Sequence, residues 1–405
     1  MHFTIVSYTF PPSREIGGRR WAKFSQHLRR QGHTITVVCA DQDAEPGWYE
    51  REFPGIDVVS LPPKYPEWMG GYTRNFKEKL SYFAVSRLYK PLTRKNIFDR
   101  GFNWKQTMLG ALEAIHGRKP IDILVTTGGP FSIMKYGTAF RKKHPEVKYI
   151  VDLRDPWTTG VLYGIPSMSP AKKAYQEAQE RRTIEGCDLF CYPTESMGDK
   201  LAQQYPAEAH KLYLLPHAYD PEKFPEVKTA SKRNGFIYGG TIYFGLEDWL
   251  KKLDRIVKAN PASEFQWDIY TGTPYPLIDA DFAKGKVRMH PLIPEEKLFV
   301  KVQDAAAYLV FFPESERDLI STKFYEIVYS GTPILYIGAD GLVADFITRN
   351  KLGVHVHPDR MEEELPQYLN GDIPFEPGYF DVSRYSFAKV TQAFLERISQ
   401  FTHDG

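Results

Sequence analysis

The residues best suited by type and spacing to handle a phosphorylated nucleoside lie between Asp318 and Pro333. A polar loop leads to Ser321, a natural helix N-cap, and a short helix then carries Thr322, Lys323 and Glu326 until Gly331 closes it. Backbone N–H groups at a helix start, with a lysine beside them, can cradle a diphosphate. Glu326, one turn further in, can accept hydrogen bonds from both hydroxyls of a ribose. Lys323 and Glu326 can also form a surface pair at their three-residue spacing. Against that, Ile327 and Val328 follow in a segment suited to burial. A second set follows the strand-like run 148–151: Asp152, Leu153, Arg154, Asp155, Pro156 and Trp157. Charged side chains just past a strand's carboxyl end sit where parallel sheets keep their ligands. Arg154 can bind phosphate or pair with Asp155. Asp155 can orient an acceptor hydroxyl, or the two can form a structural pair with Trp157 as a packing wedge. A third set is the loop after the first strand, which brings Gly17 and Gly18 to a helix start beside Arg14, Arg19 and Arg20. Adjacent glycines let backbone approach a ligand. The third glycine of a dinucleotide fingerprint is missing.

Other candidates are slighter. Gly239, Gly240 and Thr241 follow a strand and can approach a phosphate or simply turn the chain; Gly128, Gly129 and Pro130 follow another. His217 lies near a domain junction and reads as structural. Asp279 and Asp281 match a loose metal-binding carboxylate pair over only three residues of a polar turn. Cys187 and Cys191 are four apart without a second Cys/His pair nearby, so packing explains them better than metal. A serine elbow, a P-loop and a zinc helix are all lacking.

These residues need a scaffold, and the chain supplies an alternating one. Strand-like apolar runs occupy 3–8, 34–39, 121–126, 148–151, 189–192, 212–215, 235–238, 265–270, 287–290, 306–312 and 333–337. Amphipathic stretches such as 19–31, 171–185 and 324–330 lie between them. Such alternation predicts α/β folding with parallel sheets covered on both faces. A polar, proline-bearing stretch at 221–234 interrupts the pattern. The expected organisation is an N-terminal domain over 1–228, a C-terminal domain over 229–382 and a terminal segment over 383–405. The cleft between two facing domains is then the default site.

With 405 residues, 42% of them hydrophobic and 25% charged, the chain is globular and long enough for two cores. A net charge of +2 gives no general attraction to nucleic acid, so anions must be met by local patches. Three cysteines make no disulfide framework and suit a reducing cytoplasm. The opening residues read as a strand rather than a leader, and no window approaches the ~20 apolar residues of a membrane span. Residues 72–105 stand apart: nine lysines and arginines against Glu78 and Asp99, interleaved with aromatic rings. That composition suits peripheral contact with an anionic membrane, or a packed aromatic face with a solvated basic one. Single-stranded nucleic acid has no other support in the chain.

Taken together, the motifs resemble GT-B glycosyltransferases of family 4 over nearly the whole chain. Gly17 to His33 is similar to the family's opening loop and helix. Residues 151–157 resemble a motif of surface-polysaccharide members, and Pro216 to Asp220 the turn before the second domain. Tyr238 to Thr241 resembles the glycine turn that opens that domain, and Ser321 to Pro333 the donor-binding helix. The resemblance implies two Rossmann-like domains, with a nucleotide sugar as co-substrate and no other cofactor or metal. It implies transfer with retention to a glycan or lipid-linked acceptor in polysaccharide or glycoconjugate synthesis. Gly17, Gly18, Gly240, Thr241, Ser321, Thr322, Lys323 and Glu326 are then donor-binding, and Arg154, Asp155 and Asp318 catalytic. Asp318 stands where the family has the first of two glutamates eight positions apart. Lys251 and Lys252 lie late for the family's diphosphate-binding basic pair. The terminal helix is expected to return to the first domain. The alternatives are a non-catalytic GT-B sugar-binding or assembly protein and a nucleotide-sugar epimerase of the same fold.

Overall fold

The computed structural model describes residues 1–13, 16–64, 83, 84, 87, 99–160, 165, 167–224, 235–240, 242, 246–261, 266–272, 275–312, 314, 317 and 320–402. The expected boundary at 228 and most of 72–105 lie outside them. The chain forms two compact units, one of Met1–Pro216 with Val390–Gly405 and one of His217–Lys389.

In the first unit the elements run β1 (His2–Val6), α1 (Ile16–Arg30), β2 (Thr34–Ala40), α2 (Trp48–Glu52) and β3 (Ile56–Leu61). Then come α3 (Lys105–Arg118), β4 (Ile123–Thr127), α4 (Ser132–Lys143) and β5 (Lys148–Asp152). The series ends with α5 (Pro170–Glu185), β6 (Leu189–Tyr192), α6 (Glu195–Gln204) and β7 (Leu212–Leu214). Among the described residues these strands make one parallel sheet in the order β3-β2-β1-β4-β5-β6-β7. Strands β1 and β4 are buried at every position, which explains why their sequences are mainly apolar, with His2, Thr4, Thr126 and Thr127 as buried polar exceptions. Pro170 opens α5, where its missing N–H costs nothing. Arg141, Lys142 and Lys143 close α4, where cations meet the negative end of the helix dipole.

The second unit follows the same logic. It contains β8 (Phe236–Gly239), α7 (Glu247–Ala259), β9 (Trp267–Tyr270), β10 (Val287–His290), α8 (Glu295–Gln303) and β11 (Ala307–Phe311). After these come α9 (Thr322–Tyr329), β12 (Ile334–Ile337), α10 (Leu342–Arg349), β13 (Gly353–Val356) and α11 (Met361–Glu364). The sheet is parallel, ordered β10-β9-β8-β11-β12-β13. Leu250, Leu253, Ile256 and Val257 give α7 one apolar face that enters the core with Trp267, Leu309 and Leu335. The last helix, α12 (Phe387–Thr402), places Phe394 in the first unit, where its ring meets Trp21, Phe24 and Tyr213 at 6.0, 6.4 and 6.3 Å.

Strand order reverses between β1 and β4 in the first sheet and between β8 and β11 in the second. At such a switch point the loops leave in opposite directions and open a crevice beyond the strands' carboxyl ends. Gly17, Gly18 and Gly128 follow β1 and β4; Gly239 ends β8, and α9 follows β11.

Candidate functional site

The second unit's switch point gathers residues from three elements. Lys323, in the first turn of α9, donates from Nζ to the Gly239 carbonyl at 2.9 Å. Tyr308 of β11 donates to that carbonyl at 2.9 Å, and its hydroxyl accepts the Gly239 N–H at 3.1 Å. Gly240 follows with φ +156, a backbone state open chiefly to glycine. A Cβ there would stand 3.3 Å from Tyr238 Oη and 3.5 Å from Lys323 Nζ. Glu326 is half-buried one turn along the same face of α9. Its charge, with burial as the larger cause, holds the Tyr308 hydroxyl above its ordinary pKa. Phe324, Tyr325 and Ile327 anchor α9, and Tyr325 stacks on Tyr385 at 4.2 Å. Ser321 occupies the N-cap position with an exposed side chain that makes no cap hydrogen bond. Asp318 and Thr241, and the side chain of Thr322, lie outside the described residues.

In the first unit Arg154 pairs with Asp155, from Nε at 3.1 Å and Nη2 at 2.9 Å. The Arg154 guanidinium lies over Gly17, where an added Cβ would come within 1.9 Å of Nη1. At Gly18 a Cβ would meet backbone, 2.7 Å from the Thr9 carbonyl oxygen and 2.8 Å from the Phe10 Cα. Gly18 is therefore required by the close approach of the preceding turn, whereas at Gly17 the neighbour is the end of the Arg154 side chain, which a methyl group would displace. Trp157 is a wedge, stacked on Phe131 at 4.9 Å and 2° and donating to Gln176 at 3.1 Å.

Two features escaped the sequence reading. Arg20, expected to add charge beside the glycine loop, is instead buried against Asp152, from Nε at 3.0 Å and Nη2 at 3.2 Å. It also donates to the Leu215 and Pro216 carbonyls at 2.6 and 2.8 Å. Trp21 Nε1 donates to the same carboxylate at 2.6 Å and Thr127 Oγ1 at 3.4 Å. One fully buried acid thus ties together α1, β4, β5 and the exit from the unit. Tyr308 is the other, hidden inside an apolar run that reads only as core.

Metal-ligand chemistry has thin support. Asp279 accepts the Asp281 N–H at 3.0 Å, and both line a cavity of about 380 Å³ with Lys251, Arg255 and Lys258. Lys251 pairs with Asp248 at 3.6 Å, and Lys252 donates to the Pro358 carbonyl at 2.8 Å. Burial pushes the Cys187 thiol up to about 12 and the Cys191 thiol well above its ordinary range. Among the described residues His116, His144 and Glu146 converge where α3 and α4 end, at the amino edge of the sheet. His116 Nδ1 accepts the Ile121 N–H, so in the neutral ring Nε2 carries the proton and faces Glu146 at 3.3 Å. That tautomer is the wrong one for a metal at Nε2.

Residues 17–217 match the glycosyl transferase 4-like domain. No curated protein matches the sequence. Among solved structures, a glycosyltransferase from Rickettsia africae ESF-5 is similar at 10% identity and TM-score 0.62, with 100% of this chain and 99% of that one covered. A UDP-forming α,α-trehalose-phosphate synthase from Burkholderia xenovorans is similar at 11% identity and TM-score 0.62, covering 98% and 99%. So is a structure described as a UDP-N-acetylglucosamine 2-epimerase from Listeria monocytogenes, at 8% identity and TM-score 0.57, covering 100% and 97%. At these identities the likeness establishes the fold, and the chemistry has to be argued from the site.

Proposed function

Residues 17–217 of this chain belong to the glycosyl transferase 4-like family and the whole has the GT-B fold of glycosyltransferases; from that premise we propose that it moves a sugar from a nucleotide-sugar donor to a glycan or lipid-linked acceptor during polysaccharide or glycoconjugate synthesis. The observation that carries this reading is the meeting of Lys323 with the Gly239–Gly240 turn at the second unit's switch point, with Glu326 on the same helix face. The start of α9 and Lys323 hold the donor diphosphate. Glu326 accepts from the ribose hydroxyls. As the bond from sugar to phosphate breaks, charge grows on the leaving diphosphate. Lys323 and the helix N–H groups, already in place, stabilise it without a metal and with retention at the anomeric carbon. Ser321, Thr322, Thr241, Gly17 and Gly18 complete the donor-binding set of this reading. Arg154, Asp155 and Asp318 are its catalytic residues.

No helix among the described residues is long and apolar enough to cross a membrane. Peripheral attachment at the cytoplasmic face through the basic residues of 72–105 belongs to the same proposal. Flotation with anionic vesicles tests it, and absence of binding leaves that segment without this role.

The donor reading is tested by a thermal-shift screen with UDP, GDP, CMP, dTDP and ADP, run on the wild type and on Glu326→Ala. A ligand that binds only the folded chain raises its melting temperature by mass action. A shift with one nucleotide, lost in the variant, identifies the base and supports the ribose contact. A well-folded chain that responds to none favours a non-catalytic sugar-binding protein.

A further inference from the structure

We infer that Tyr308 is a positioning residue of the donor site, holding the glycine turn in the conformation that receives a diphosphate. This rests on the donor reading above and adds a residue to it. The argument begins with the sheet. Strand β8 keeps its register with β9 through the pair Gly239–Tyr270. On its other side it pairs with β11 only at Phe236–Ala307 and Ile237–Tyr308. The two strands part where the order of the sheet reverses. Beyond Ile237 the β8 backbone facing β11 has lost its ladder partners, and buried backbone groups left without partners are costly. The hydroxyl of Tyr308 makes up the loss. A hydroxyl carries one proton and can also accept, and here it donates to the Gly239 carbonyl and accepts the Gly239 N–H. One side chain does the work of a missing strand neighbour while the crevice stays open.

Lys323 completes the arrangement by donating to the same carbonyl. Two donors on one oxygen, with the Gly240 N–H given to Tyr270 at 2.9 Å, hold the peptide plane that follows Gly239, and the Gly239 N–H given to Tyr308 holds the one before it. The plane that sets the direction of Gly240, and the place of the Lys323 ammonium beside it, thus both depend on the Gly239 carbonyl. Tyr308 is buried behind the turn and acts only through these backbone groups. It touches no reacting atom. Its removal should therefore loosen the grip on phosphate and leave the grip on base and ribose intact.

The test uses Tyr308→Phe in the full chain, with the diphosphate and monophosphate of whichever base stabilises the wild type, titrated by calorimetry. The expected result is a diphosphate Kd raised at least about fivefold, since the change removes both hydrogen bonds that hold Gly239, with the monophosphate Kd changed by less than about twofold. Equal weakening of both, or unchanged binding of both in a folded variant, overturns the inference while leaving the donor reading standing. Failure of the wild type to bind any nucleoside diphosphate removes the donor reading itself. If the variant does not fold, hydrogen exchange of wild-type residues 236–240 decides: slower exchange with the diphosphate than with the monophosphate supports the inference, and equal exchange overturns it.

Discussion

Asp152 offers the sharpest test of how the first unit is held together. Its carboxylate is fully buried and accepts from Arg20 twice, from Trp21 and from Thr127. Asp152→Ala removes the carboxylate that pairs with the Arg20 guanidinium, and Arg20 is only 2% exposed. Stranding one partner of a buried pair costs about 3–5 kcal/mol, a large fraction of the ~5–15 kcal/mol that holds a domain. With a urea slope of about 2–3 kcal/mol per molar, the first unit's unfolding midpoint should fall by roughly 1–2 M. Urea denaturation followed by tryptophan emission measures it, since the Trp21 indole is bonded to the carboxylate. The double variant Arg20→Met with Asp152→Ala should cost less than the sum of the two single changes, because it leaves no unpaired charge behind. A loss below about 1 kcal/mol in Asp152→Ala, or strict additivity in the double variant, would refute the reasoning.

Burial holds the Glu180 carboxyl above its ordinary value of 4.5, outweighing hydrogen bonds from Thr158 and Tyr205. The folded chain therefore binds this proton more tightly than the unfolded chain does. The contribution is full below pH 4.5 and declines as pH rises through the raised value. Glu180→Gln should gain stability relative to wild type as pH climbs through that window, and a pH-independent difference between the two would contradict this. Gly18→Ala should destabilise the first unit by about 1–3 kcal/mol because backbone blocks its methyl group. Gly17→Ala should leave the melting temperature nearly unchanged and lower transferase activity by displacing Arg154; equal effects of the two changes on stability would be wrong for this geometry. Phe394→Ala should cost the first unit about 3–5 kcal/mol by denaturant titration, although the residue lies 178 positions beyond Pro216.

Much of the scaffold can be read from sequence because parallel strands buried on both faces appear as unbroken apolar runs. Edge strands are harder. In β3 every residue after Ile56 is exposed or half-buried, and β13 is four residues long with a histidine at its third position. Among the described residues each lies at a sheet edge with one flank unpaired, so the apolar signal thins. At the site, the glycine turns and the Lys323–Glu326 spacing were legible because local backbone demands choose those residues. Arg20 was not, since only the packing of α1 onto β5 shows that its charge is spent on Asp152. Tyr308 was not either, because a tyrosine in an apolar run reads as core until two strands are seen to part beside it.

The first unit is discontinuous: the chain leaves it at Pro216 and supplies Phe394 only after the second unit has been laid down. During synthesis, at ~5–20 residues per second, the surface of Trp21 and Phe24 waits roughly 10–40 s for its cover. The contiguous second unit has all its own residues first, so the usual N-terminal-first order of assembly is inverted. A nascent chain halted before Phe394 would carry a complete second unit beside an open hydrophobic face, and that is the species a chaperone would be called on to shield.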